Sequence, residues 1–231
     1  MICPMRLVFL LATLLISATA MASFELVATV NISPAPGKPK VDASLLRARR
    51  EDGGIELSIR LKGQTTSVYS SGGDDDGPSD KDVRSVSVSP FSLPGGKKIL
   101  RIDMIYRAPD ATADEENGLS VLVAIDDKPS RMVEIETVTR RKRSKTCREI
   151  TEIALAAQDR NGGTVLVATT GKTADPALGD DDLPIDKTCK APPGKTESIY
   201  RLVGGKFIDT SRRAAPPKPT PAAATDDDDE G

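Results

Sequence analysis

The chain has no histidine and no tryptophan among its 231 residues, and aromatic side chains make up only 3% of it. Without histidine there is no imidazole base, so every histidine-based catalytic triad is excluded. The few aromatics leave Val, Ile, Leu and Ala to build the core, and they count against a sugar-binding surface of exposed aromatic platforms. No glycine-rich phosphate loop of the strand–loop–helix type is present. Beyond residue 16 no long apolar run remains, so the mature chain is expected to be soluble, without a membrane span, which would need ~20 apolar residues.

What is present first is an export signature. Arg6 precedes the apolar run Leu7 to Ile16, and Ala20-Met21-Ala22 has the small-x-small form of a cleavage site. This is the anatomy of a secretory signal peptide, expected over 1–22 with cleavage near Ala22 and a secreted or periplasmic product. Removing 1–22 takes away Cys3 and Arg6, so three cysteines become two and the net charge moves from −2 to −3. In an oxidising compartment the remaining pair, Cys147 and Cys189, is expected to form a disulfide. A two-thiolate metal site is the alternative, and it lacks a histidine to complete it.

The rest reads as β-structure. Ile55-Glu56-Leu57-Ser58-Ile59-Arg60-Leu61 alternates apolar and polar, which is a strand with one wet face. Phe24 to Ile32, Ser44 to Arg50, Val83 to Val88, Ile99 to Arg107 and Met132 to Val138 read as further strands, the third ended by Pro90. Leu119 to Ile125 is apolar on both faces and is expected to be central. Glu149 to Ala157 fits helix or strand spacing, and the Asn161-Gly162 turn after it favours a strand. Glu197 to Val203 and Lys206 to Thr210 flank Gly204-Gly205 as a closing hairpin. Lys62 to Asp82 and Gly171 to Ser198 are expected to be long loops, the first mobile. Ala214 onward is a Pro/Ala linker ending in the acidic tail Asp226 to Glu230.

Together these signals predict an all-β protein, an antiparallel sandwich or open barrel of about ten short strands with long polar loops. After the signal peptide, an N-terminal β region covers 23–139. A disulfide-closed hairpin region covers 140–213 and packs with it as one unit, and a disordered tail covers 214–231.

Three features are candidates for chemistry. Asp74, Asp75 and Asp76, with Asp180, Asp181 and Asp182, offer the hard oxygen ligands that calcium prefers. Their side chains lack the alternating spacing that converges on one ion, so solvated loops and no cofactor are expected. Arg140, Arg141, Lys142, Arg143, Lys145 and Arg148 form a basic run with no acid inside it. It suits a polyanion or a cell-envelope component, or else it neutralises the protein's own acidic loops or tail. Without interleaved aromatics, specific nucleic-acid recognition is not expected. In an extended strand Arg140 and Lys142 would face one way, Arg141 and Arg143 the other. The expected function is a secreted or periplasmic, non-enzymatic binding or structural module. The alternatives are a calcium-binding extracellular module and an atypical carboxylate-dependent hydrolase.

Overall fold

The computed structural model describes residues 23–72, 77–107, 115–178, 183–191 and 194–210. The signal-peptide stretch, both aspartate triplets and the C-terminal tail lie outside them. Among the described residues twelve strands fall into two antiparallel sheets, and within each sheet strands adjacent in sequence pair. The smaller sheet is β1 (Glu25–Ile32), β2 (Val41–Arg49), β3 (Ile55–Leu61) and β4 (Gln64–Ser70). The larger runs through β5 (Val83–Ser92), β6 (Lys98–Tyr106), β7 (Glu116–Ile125) and β8 (Pro129–Ser144). It continues through β9 (Cys147–Arg160), β10 (Gly163–Pro176), β11 (Lys195–Val203) and β12 (Lys206–Asp209). Its end strands, β5 and β12, do not pair, so the sheet is not a closed barrel. Among the described residues no helix is long and apolar enough to cross a membrane.

Turn chemistry drives this meander. Lys62-Gly63, Asn161-Gly162 and Gly204-Gly205 each hold two successive positive φ angles, the requirement of the tight hairpin turn whose twist matches its strands. Asn161-Gly162 thus joins β9 to β10, and the Glu149–Ala157 segment is a strand as expected.

The larger sheet is covered on both faces at its centre. Leu45, Leu57 and Ile59 of the smaller sheet share one core with Leu100, Ile102, Met104, Leu119, Val121, Val123 and Ile125. A second core gathers Ile99, Leu122, Ala124, Met132, Ile135, Leu166 and Phe207. Strand β7 therefore contributes alternate residues to two different cores, which explains why Val121 to Ile125 is apolar at every position. The second core exists because β9 parts from β8. The two strands pair only from Val138↔Glu152 to Ser144↔Cys147, while β9 stays on β10 along its whole length. Beyond this fork the leaf β9–β12 folds back, and β12 comes against β8.

Three sequence expectations are corrected. Residues 64–70 are β4 rather than loop: Val68 and Tyr69 are buried, and the strand is completed by pairing to β3. Strand β10 continues through Pro176 where a loop was expected from Gly171, because its far half pairs with the first residues of β9. Strand β5 runs past Pro90 to Ser92, which an edge strand tolerates because the missing N–H is not needed by a neighbour. The 139/140 boundary falls inside β8.

The end of the β4–β5 connection is clamped. Arg47 donates twice to Asp80 Oδ1, at 3.0 and 2.7 Å, and once to the Asp80 carbonyl at 2.9 Å. Asp82, with its side chain only 7% exposed, accepts from the Ser79 hydroxyl and from Arg107 Nη2 at 3.1 Å. The Ser79 hydrogen bond, helped by Arg107, holds the Asp82 carboxyl below the usual carboxylate range despite its burial. Its folded pKa lies below the unfolded value near 3.8, so the unfolded chain takes up the proton first as pH falls. The stabilisation is complete above that value and is lost as pH drops through the folded pKa. Asp82→Asn is therefore expected to flatten the fall of the urea midpoint below about pH 4. Equal acid slopes in variant and wild type would show that this carboxyl is not an acid-labile clamp.

Candidate functional site

At the fork, an open cleft of about 330 Å³ is lined by Arg101, Asp103, Met104, Ile105, Thr137, Val138, Glu152, Ile153 and Ala154. Strand register assembles it. Asp103 stands opposite Ser120, and the next row on the same face is Ile105, Gly118, Val138 and Glu152 across β6, β7, β8 and β9. Gly118 is required there: a Cβ would sit 2.9 Å from Val138 Cβ and 3.0 Å from Ile105 Cδ1. Thr137 is the extra residue of a bulge in β8, between Glu136↔Leu119 and Val138↔Gly118. A bulge leaves its extra residue unpaired, shifts the register beyond it by one and re-aims a side chain; here Thr137 reaches Ser120.

The polar floor is a fixed relay. Arg101 Nε donates to Asp103 Oδ1 at 2.8 Å, and the Ser120 hydroxyl donates to the same oxygen. Thr137 Oγ1 lies 3.3 Å from Ser120 Oγ. The Ser120 hydroxyl is directed at both the carboxylate and Thr137 Oγ1, which ties the three groups together. Ser120 and Thr137 are 0% and 5% exposed, so the relay is sealed from below. Asp103 Oδ2 and the exposed Glu152 carboxylate have no partner among the described residues. The lining thus offers two carboxylates with a free oxygen, beside one guanidinium whose Nε is already taken by Asp103.

The residues singled out from sequence lie elsewhere. Cys147 and Cys189 are joined in a disulfide that ties the first residue of β9 to the β10–β11 connection. Asp74, Asp75, Asp76, Asp180, Asp181 and Asp182 lie outside the described residues. Among the described residues no group of three potential ligands is placed to hold a metal ion.

The basic run forms the β8–β9 tip and is laced to acids around it. Arg140 meets Glu116 at 2.6 Å, and the backbone N–H of Lys142 donates to Glu115 at 3.1 Å. Arg143 lies 3.4 Å from Glu149 and donates to the Lys190 carbonyl at 3.3 Å. Lys142 and Arg148 are engaged as well. The Glu149 carboxyl is held below its usual range, first by the hydrogen bond from Lys172 and further by Arg143 and Arg141. A bulge between Lys142 and Ser144 breaks the expected two-faced alternation at Arg143. Lys145 and Arg148 line a shallow hollow of about 260 Å³ beside the buried Cys147.

The sequence marks Ile99 to Arg107 as a strand but singles out none of Arg101, Asp103, Ser120, Thr137 and Glu152 as a site residue. The one usable signal was Ser120 itself, a hydroxyl inside the apolar run from Leu119 to Ile125. Comparison with known family models, with curated proteins and with solved structures finds no match to this chain.

Proposed function

We propose that the protein is an exported, non-enzymatic binding module that takes a small ligand in the cleft at the β8/β9 fork. The observation that carries this reading is Asp103. One of its oxygens is fixed by Arg101 and Ser120, while the other is left unpartnered at a cleft about 330 Å³ in volume. A volume near the lower end of the usual ligand-pocket range suits a small molecule rather than a chain. The disulfide supports export, because such bonds persist in oxidising compartments.

The chemistry of the cleft supports binding over turnover. Ser120 is fully buried, and its only neighbouring base is a carboxylate. An ordinary carboxylate is far too weak a base to ionise a hydroxyl, so Ser120 is not an activated nucleophile. The basic tip supports a polyanion less well, because Arg140 and Arg143 already face Glu116 and Glu149.

Ala154 is exposed at the cleft rim, so Ala154→Trp is expected to fill the space without disturbing either core. A ligand-observed NMR screen of small organic cations, anions and neutral molecules should yield binders to the wild type that Ala154→Trp no longer holds. A screen in which no binder responds to that substitution would overturn the reading.

A further inference from the structure

We infer that the fork cleft selects a small primary ammonium carried on an apolar body. This deepens the binding reading above and rests on it. The acceptor set points that way. Asp103 Oδ2 and the Glu152 carboxylate both lack a donor among the described residues, and both residues line the same cleft. A primary ammonium carries three donors at one centre and can serve both carboxylates at once.

Charge agrees with this. The ionisable groups lining the cleft are Arg101, Asp103 and Glu152, a formal total of one negative charge. Arg101 is bound to Asp103 through Nε at 2.8 Å, so one carboxylate's worth of charge is left for a monocation. An anion of the same shape would meet two carboxylates against one guanidinium already bound to Asp103, and that net repulsion discriminates against it.

The remaining walls set the body of the ligand. Ile105, Val138, Ile153 and Ala154 offer no side-chain hydrogen bond, so a polyol would leave hydroxyls unsatisfied against them. Ile105 and Val138 close over Gly118, which makes this wall tight and apolar. A short alkyl or aryl group fits; a sugar does not.

The experiment compares 2-phenylethylamine with its carboxylate counterpart, 3-phenylpropionate, by isothermal titration against the full mature chain. The amine is expected to bind and the acid is not. Glu152→Gln, at an exposed position, should leave the melting temperature unchanged and weaken the amine by about tenfold, the loss of one charge-assisted contact. Asp103→Asn should weaken it at least as much. An acid that binds as well as the amine, or an amine indifferent to Glu152→Gln at unchanged stability, overturns the ligand class. In that case any other small molecule displaced by Ala154→Trp leaves the binding-module reading standing. If nothing is displaced by Ala154→Trp, both fall together.

Discussion

Replacing Phe207 by alanine is expected to cost about 3–5 kcal/mol, although the residue lies on a four-residue strand close to the C-terminal tail. Position in the chain suggests a dispensable hairpin, but packing says otherwise. Phe207 is 5% exposed and sits in the second core with Leu122, Met132, Ile135 and Leu166. Tyr200 and Leu202 of β11 pack on the same cluster. Truncation removes a whole ring from a site that β8, β10 and β11 surround, and such a space collapses poorly. The neighbouring Ile208 points the other way and is 51% exposed. Ile208→Ala should therefore stay within about 0.5 kcal/mol of wild type. Urea unfolding of the two variants gives a contrast that intrinsic strand propensity cannot mimic, because both sit on one strand. A Phe207→Ala cost below 1 kcal/mol would mean that β12 does not close the second core, and the folded-back leaf would have to be abandoned.

The elements legible in the sequence are those whose signal is local. The strict alternation of β3, the doubly apolar β7 and the Asn161-Gly162 turn each declare themselves within a dozen residues. The segment that became β4 does not. Gln64-Thr65-Thr66-Ser67 is polar, and Val68 and Tyr69 become core residues only once β3 supplies a partner and Lys62-Gly63 turns the chain. The second core was hidden for a related reason. Leu122, Leu166 and Phe207 are each apolar by inspection, but nothing local says that β9 leaves β8 at Glu152 and brings them together.

The cleft was harder still, because it depends on register and not on composition. Asp103 meets Ser120 only through the β6–β7 alignment, and Thr137 joins them only because β8 bulges by one residue. A shift of one position would turn Asp103 to the opposite face and bury a charge. The basic run shows the converse. Its charge was plain in the sequence, yet the β7–β8 pairing sets Arg140 beside Glu116 and makes much of the run a partner for the protein's own acids.

Loss of the Cys147–Cys189 bond is expected to lower stability by about 4 kcal/mol, the second large effect. The two residues are 42 apart in sequence, and closing a loop of that size removes much of the freedom of the unfolded chain. Little in the folded state opposes the link. Cys147 opens β9, Ala177 N–H donates to the Thr146 carbonyl at 2.9 Å, and Cys189 N–H donates to the Asp186 carbonyl at 3.1 Å. These bonds hold both ends of the bridge in place whether or not the sulfurs are joined. The effect should therefore appear in the unfolded reference state: a lower denaturant midpoint for Cys147→Ser/Cys189→Ser, with the native β-sheet spectrum unchanged. Freed unfolded chains also expose more surface, so the denaturant slope should rise slightly. Most domains have only 5–15 kcal/mol in total, so a loss of this size removes a large share of it. The same chain made in a reducing cytosol should then be markedly less stable than chain recovered after export. Equal midpoints for the oxidised protein and the double variant would show that the bond contributes nothing to stability, and would remove the disulfide's support for an oxidising destination.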